Sequence, residues 1–213
     1  MPHLADKLMK VNNLMNINSI DSMYRNLRSH WHDTNELVIG GDEYPDFLPS
    51  LQRDFDSFHP AEKLMAYDLI SYLPDDILVK LDRAAMALGL ETRVPFLDYR
   101  VVDFAWSLPL EYKFYDGVDK WPLKQVLYNY VPEKLFNRPK MGFGVPIGHW
   151  LRGPLKDWAE TMLNQSKIKS QGYFNSDLVE RKWREHLSGK RNWERELWNV
   201  LVFQTWFQQK TLT

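Results

Sequence analysis

The sequence predicts an all-α protein, a multi-helix domain that extends over residues 1–213. Apolar residues recur at intervals of three and four along most of the chain, which is the period of an α-helix, whereas the alternation typical of strands is almost absent. Proline, glycine and acidic residues stand between the periodic segments, where they start and stop helices. The sequence contains no internal repeat, and a soft joint is predicted over 166–171.

The N-terminal part of the chain is predicted to contain one helix over 17–31. Its apolar residues share one face: Ile20, Tyr24, Leu27 and Trp31. Ser19 or Asp21 can cap its start, because a short polar side chain accepts a hydrogen bond from an unpaired backbone N–H. The apolar residues 37–39 are followed by two glycines, which favours an irregular connector over a brief strand.

Two helices are predicted next, separated by a proline. Pro60 suits the first position of the first helix, which is expected to end near Leu73. Pro74 and the acidic residues after it are expected to open the second helix, since negative charge complements the dipole of a helix start, and Gly89 is expected to close it. The mostly apolar segment 90–97 is predicted to be a loop on the buried side of the protein.

The remaining elements follow from caps, turns and periodicity. Asp98 is expected to cap a helix that runs to Trp106, and Asp116 with Gly117 is expected to form a turn. Glycines and prolines predict that 137–146 is a loop with a defined backbone conformation. Further helices are predicted over 121–130, 155–163, 177–187 and 193–209.

The composition is that of a soluble globular protein and excludes several function classes. The 213 residues carry a formal net charge of -1, so no excess positive charge attracts nucleic acid or an anionic membrane. The absence of cysteine excludes a thiol nucleophile and a cysteine-ligated metal centre. No apolar run approaches the length of a membrane span, and residues 1–10 lack the apolar core of a signal peptide, which predicts a cytoplasmic protein.

Charged residues cluster at the start of the helix predicted after Pro74: Asp75, Asp76, Lys80, Asp82 and Arg83. Their spacings let several of them form ion pairs on one face of a helix. This favours the interpretation that the cluster is a solvent-exposed, self-paired helix face. Carboxylates are also ligands for divalent metals, but adjacent residues on a helix point about 100 degrees apart. No metal ligand is therefore assigned.

Glu91 and Arg93 lie in the apolar segment 90–97, where burying a charge is costly unless it is paired or used. Residues two apart point to the same side of an extended segment, so the two side chains can form a structural ion pair. A carboxylate for acid–base chemistry explains the pattern equally well. Both interpretations stay open at this point.

The loop 138–146 combines positive charge with glycine, which suits a phosphate group. Gly142 and Gly144 permit close backbone approach, while Arg138 and Lys140 supply charge. The order of residues is not that of a P-loop, so the loop is not a nucleotide site by itself. Lys140 is the candidate to stabilise charge that moves onto a leaving group. The alternative is a turn whose basic residues lie in water.

The histidines and the C-terminal aromatic residues are interpreted as structural. The histidines show no metal-binding spacing. Aromatic side chains can stack on nucleic-acid bases, but without net positive charge these are predicted to pack in the core: Trp183, Trp193, Trp198, Phe203, Trp206 and Phe207.

Three segments, in this order, resemble the synthetase domain of glutamine-dependent asparagine synthetases. They are YLPDDILVKLDRAAMA at 72–87, LETRVPFLD at 90–98 and RPKMGFGVP at 138–146. The resemblance extends more loosely to 23–31 and 150–155, so it covers nearly the whole chain in collinear order. It implies that the chain is the helical C-terminal half of a synthetase domain of the PP-loop ATP pyrophosphatase type.

The resemblance also implies a ligase and amidotransferase of asparagine biosynthesis. Enzymes of this family activate the aspartate side-chain carboxylate with ATP and Mg²⁺, release pyrophosphate, and let ammonia from glutamine attack the acyl-adenylate. By position, Lys140 would hold the phosphates. Glu91 would act on the incoming amine as an acid–base or orienting carboxylate, and Arg93 would hold the Glu91 side chain in place. Three further residues would shape the pocket: Asp75, Asp82 and Arg83.

Departures from the family pattern limit the activity expected of this chain. The sequence contains neither the glutaminase domain with its cysteine nucleophile nor the Ser-Gly-Gly-x-Asp-Ser type of pyrophosphate loop. We therefore expect weak ATP binding and no activity by itself, the missing half being supplied by a longer polypeptide or a partner chain. Two alternatives stay open: a non-catalytic helical module that binds a partner protein, and a related enzyme that adenylates another carboxylate.

Overall fold

The structure is a computed structural model, and it confirms the all-α prediction. It describes four ranges of the chain: 17–31, 34–41, 55–137 and 144–211. The chain divides into two compact units, which we call the terminal unit (Met1–Leu51 and Phe143–Thr213) and the central unit (Gln52–Gly142). The single helical domain over 1–213 stays a prediction.

The described ranges contain mostly short helices. In chain order these are α1 (Ile20–Arg28), α2 (Thr34–Leu37), α3 (Pro60–Tyr67), α4 (Val79–Met86), α5 (Tyr99–Ser107), α6 (Leu110–Lys113), α7 (Trp121–Tyr128), α8 (Ile147–Arg152), α9 (Lys156–Met162), α10 (Gln165–Gln171), α11 (Ser176–Leu187) and α12 (Glu194–Thr211). A π-helix, Asp68–Leu78, lies between α3 and α4, and 3-10 helices cover Pro95–Leu97 and Glu133–Leu135. The two strands are β1 (Phe114–Tyr115) and β2 (Val118–Asp119).

Several helix boundaries fall where the sequence predicted them. The Ser19 side chain accepts a hydrogen bond from the Ser22 N–H at 3.1 Å and caps α1. Pro60 is the first residue of α3. The Asp98 side chain accepts from the Arg100 N–H at 3.0 Å and caps α5. These positions are fixed locally, because each depends on the chemistry of one residue at a helix end.

The helix predicted to end near Leu73 instead continues, which corrects the sequence prediction. The chain passes from α3 through the π-helix into α4, and Pro74 lies inside the π-helix. Proline is excluded from α-helix interiors because its ring clashes with the carbonyl four residues earlier. In the wider π-helical turn, bonded from i to i+5, that carbonyl is displaced. Pro74 and the acidic residues after it therefore do not open a new helix.

The terminal unit has one hydrophobic core, to which α2 and α8 to α12 all contribute. Its buried members are Leu37, Leu151, Ala159, Leu163, Ile168, Phe174, Leu178, Val179, Trp183, Leu197, Val200 and Leu201. Enclosing an aliphatic side chain stabilises a fold by about 1.5–3 kcal/mol, so this cluster is a large source of stability for the described part of the unit. The segment predicted as a soft joint forms α10, and its Ile168 lies in this core.

The connector at 37–39 is tied to the terminal unit by backbone hydrogen bonds. Val38 and Phe174 form one isolated antiparallel bridge. The Ile39 N–H donates to the Tyr173 carbonyl at 3.0 Å, and the Asn175 N–H donates to the Leu37 carbonyl at 2.8 Å. The connector predicted over 37–39 therefore begins inside α2 with Leu37 and carries one isolated bridge at Val38.

The central unit contains a small hairpin that the sequence indicated only by its turn. Asp116 and Gly117 both have positive φ, 47° and 76°. They join β1 to β2, with Tyr115 opposite Val118. Strands of two residues are too short to show an alternating pattern, so the turn was predicted and the strands were not. None of the described helices in either unit is long and apolar enough to cross a membrane.

Burial in the central unit is sparse. Among its described residues, 55–137, the buried hydrophobic side chains are Ala66 and Tyr67. Helices α4, α5, α6 and α7 contain no buried residue. Large apolar side chains are exposed on them instead, among them Leu81, Met86, Phe104, Leu123 and Val126. Exposure of this many large apolar side chains is typical of a region that packs against further protein.

Candidate functional site

Glu91 and Arg93 lie side by side in the loop between α4 and α5. An oxygen of the Glu91 carboxylate is 2.6 Å from a guanidinium nitrogen of Arg93. The segment 91–94 has no regular secondary structure, so residues two apart can point to one side, as the sequence predicted. The ion pair is therefore present.

The pair is exposed, which corrects the prediction of a loop on the buried side. The side chains of Arg93 and Glu91 are 83% and 70% exposed. Their apolar neighbours Leu90 and Phe96 are also exposed. An exposed pair contributes at most about 1 kcal/mol to stability, so the pair is a weak structural element of this chain. Its accessibility leaves the Glu91 carboxylate free to face a ligand.

The acidic cluster lies along the π-helix and α4. Asp76 accepts from Lys80 at 2.6 Å, four residues further on, which confirms local pairing on a solvated face for these two residues. Asp75, Asp82 and Arg83 are exposed. The pocket-shaping role that the resemblance gives these three stays a prediction.

Arg100 is a charged residue of this region that sequence reasoning missed. Its Nε and Nη2 donate to the two carboxylate oxygens of Asp98 at 2.9 and 2.7 Å. This side-chain hydrogen bond, followed by the one from the Arg100 backbone, lowers the pKa of Asp98, and the same contact raises the pKa of Arg100. The bidentate geometry fixes the N-terminus of α5. The sequence does contain a signal for this contact, because Arg100 follows the predicted helix cap Asp98 by two residues.

Most of the predicted phosphate loop lies outside the described residues, including Arg138, Lys140 and Gly142. Gly144 is described and exposed. A Cβ added to Gly144 would meet no atom within 4 Å, so packing in this chain does not require glycine there. Phosphate binding by these four residues stays a prediction.

A buried polar cluster in the terminal unit surrounds His186, whose residue surface is fully inaccessible. Its Nδ1 accepts from the Trp193 N–H at 3.2 Å and lies 3.3 Å from Nη2 of Arg152, which also donates. Two donors at Nδ1 place the ring proton on Nε2, and Nε2 donates to the Gly148 carbonyl at 3.3 Å. Glu194 accepts from the Gly148 N–H at 3.0 Å, which joins α12 to α8.

Burial is the main cause that lowers the pKa of His186, to about 4, and the positive charge of Arg152 acts in the same direction. The hydrogen bond to Gly148 and the charge of Glu194 oppose the shift. His186 is therefore a neutral, hydrogen-bonded core residue, which confirms its structural interpretation. The same interpretation holds for His59, which caps α3.

These observations define the class of protein. It is an all-α chain whose candidate functional residues are charged side chains in loops and on exposed helices. In the part of the chain that the structure describes, no group of three or more His, Cys, Asp or Glu residues could hold a metal ion. The asparagine synthase family matches residues 2–208 of the sequence. The chain belongs to this family.

Individual relatives agree with the family match. Asparagine synthetase (glutamine-hydrolyzing) 1 of Bacillus subtilis is 34% identical over 163 residues, which cover 76% of this chain and 26% of that protein. A Mycobacterium bovis protein that is provisionally named asparagine synthetase (glutamine-hydrolyzing) is 40% identical over 149 residues. These residues cover 69% of this chain and 22% of the Mycobacterium bovis protein. The chain thus spans about a quarter of the length of these relatives. No solved structure matches it.

Proposed function

We propose that this chain forms the helical part of a composite active site that converts aspartate, ATP and ammonia into asparagine, AMP and pyrophosphate. The observation that carries the proposal is the central unit, whose helices α4 to α7 expose apolar side chains and whose loop between α4 and α5 holds the accessible Glu91 and Arg93. An ATP-binding part of the synthetase domain would cover this surface. That part would be supplied by the same polypeptide or by another chain.

The proposed reaction has two steps. An oxygen of the aspartate side-chain carboxylate attacks the α-phosphorus of ATP, and pyrophosphate leaves. Ammonia then attacks the acyl carbon, AMP leaves, and the proton lost by the nitrogen goes to a carboxylate. Lys140 would bind the phosphates and stabilise charge on the leaving pyrophosphate, while Glu91 would accept the proton and Arg93 would orient it.

Magnesium has no assigned ligand in this chain. The described residues provide no cluster of carboxylates and histidines that fits the ion. Asp76 is committed to Lys80, and Asp75 and Asp82 form no such group. The described residues therefore hold no Mg²⁺, and Mg²⁺-ATP binding is proposed for the remaining part of the synthetase domain.

The test combines this chain with the ATP-binding part of a synthetase domain from a relative. We expect pyrophosphate release that requires both parts and aspartate, together with asparagine detected by mass spectrometry when ammonia is added. Formation of a stable complex without aspartate-dependent pyrophosphate would favour the non-catalytic module. Release that depends on a different carboxylate would favour the related adenylating enzyme.

Glu91→Gln separates the two steps of the proposed reaction. The change keeps the size of the side chain and removes its ability to accept a proton. In the combined system we expect aspartate-dependent pyrophosphate release to stay within about threefold, whereas asparagine formation falls by about 10²–10⁴, the usual contribution of a general base. Quench-flow measurement of both products tests this.

Glu111→Gln is the matched control, since Glu111 is an exposed glutamate of the same unit on α6. It should leave both rates unchanged. Equal losses of pyrophosphate and asparagine in Glu91→Gln would assign Glu91 to substrate binding, and unchanged rates would remove it from the site.

A further inference from the structure

A second charged site lies in the terminal unit, in a cleft of about 390 Å³ beside Trp193. Residues of α11 form one wall, the turn that precedes α12 forms another, and Glu36 of α2 completes the lining. Four of the lining residues are cations: Arg181, Lys182, Lys190 and Arg191. Neither the family resemblance nor the proposed function uses any of them.

The four cations have no carboxylate partner within 4.0 Å among the residues that the structure describes. On the same helix Arg184 pairs with Glu180 at 3.7 Å, and in the central unit Lys124 pairs with Asp119 at 2.9 Å. The carboxylate of Glu185, which also lines the cleft, accepts from the indole N–H of Trp193 at 2.7 Å. The cleft therefore has an excess of positive charge.

Two of the cations are held in place by the Trp193 ring. The Lys182 Nζ lies 3.3 Å from the centroid of that ring and 4.6 Å from the centroid of Trp31. The guanidinium carbon of Arg191 lies 5.4 Å from the Trp193 centroid. Contact with an aromatic face orients a cation without neutralising it. Burial is the main cause that lowers the pKa of Lys182, and the charge of Arg181 acts in the same direction, whereas the charges of Glu196, Glu185 and Glu36 oppose the shift. An anion that enters the cleft would add to this favourable negative charge.

We propose that this cleft binds a small multivalent phosphate anion, either free pyrophosphate or the phosphates of a nucleotide. Its volume falls within the range of small-molecule sites. Arginine presents a planar fork that matches two phosphate oxygens, and lysine adds a mobile point charge. Arg181 and Lys190 are exposed at the rim, where they can reach an incoming anion.

The test measures pyrophosphate and ATP binding to the full chain by calorimetry, with Trp fluorescence as a second signal. We expect the double variant Arg181→Gln/Lys190→Gln to weaken binding by at least about tenfold, because two charge-assisted contacts are lost. Both substituted side chains are exposed, so the fold should be kept. The matched control is Arg195→Gln/Lys134→Gln, which removes the same charge from two exposed positions outside the cleft.

Further variants and ligands in the same assay separate binding at this cleft from binding at the phosphate loop and identify the ligand. Lys140→Ala removes the proposed contribution of the phosphate loop, and in that background Arg181→Gln/Lys190→Gln should still weaken binding by the same factor. Tighter binding of ATP than of pyrophosphate assigns the cleft to a nucleotide, and equal binding assigns it to the phosphates alone. The proposal is overturned if the wild-type chain binds neither anion, if the double variant binds like its control, or if sulfate at equal ionic strength binds as tightly.

Discussion

Replacing Lys140 with alanine is expected to lower aspartate-dependent pyrophosphate release in the combined synthetase by about 10²–10³, the usual loss when one donor to a developing charge is removed. Negative charge accumulates on pyrophosphate as its bond to the α-phosphorus breaks. An ammonium group that contacts this charge in the transition state acts on the rate more than on substrate binding. The loss should therefore appear in kcat, with a smaller change in the KM for ATP.

Lys134→Ala is the control for this experiment, because Lys134 is an exposed lysine of the central unit to which the resemblance gives no role. It should retain the wild-type rate. Arg138→Ala should raise the KM for ATP if that residue only adds charge to the loop. An unchanged kcat in Lys140→Ala would remove this lysine from the mechanism and leave Glu91 to be tested separately.

The second large effect concerns stability and pH, through His186. The pKa of this ring is about 4 in the folded chain, against the ordinary value of 6.5 for a histidine in an unfolded chain. Between these values the unfolded state binds more protons, so the free energy of unfolding falls as the pH falls through this window. The full difference corresponds to about 3 kcal/mol, lost mainly between about pH 6.5 and about pH 4.

His186→Gln isolates this contribution, since glutamine is neutral throughout the window and can still donate to the Gly148 carbonyl. Denaturant unfolding followed by Trp fluorescence should show wild-type stability decreasing relative to His186→Gln on acidification. His149→Gln is the control, because it makes the same substitution at an exposed histidine outside the buried cluster. A constant difference between wild type and His186→Gln across the window would contradict a neutral ring that is hydrogen-bonded at both nitrogens.

Local chemistry made much of the fold predictable. The caps at Ser19 and Asp98, the start of α3 at Pro60 and the turn at Asp116 each depend on one or two residues and their neighbours. The Glu91 and Arg93 contact was also accessible to reasoning, because it follows from alternation in an extended segment. Pro74 shows the limit, since the rule that proline ends a helix holds for α-helices and this proline lies in a π-helix.

Contacts between distant segments were not predictable in this way. His186 touches Gly148, Arg152 and the Trp193 backbone, and nothing in the sequence spacing brings these residues together. The same holds for the cleft at Trp193, where Glu36 meets residues of α11 that are far along the chain. Exposure was misjudged for Glu91 because apolar neighbours in sequence do not imply burial when no other element covers them.

The sequence alone determined that the chain is helical, which residues start its helices, and which family it resembles, because helix period, capping and short motifs are encoded in neighbouring residues. Only the tertiary structure decided which charged groups are buried, which are paired and which face solvent. These properties depend on the packing of segments that are distant in the chain, and packing sets both the dielectric surroundings and the partners of a charge.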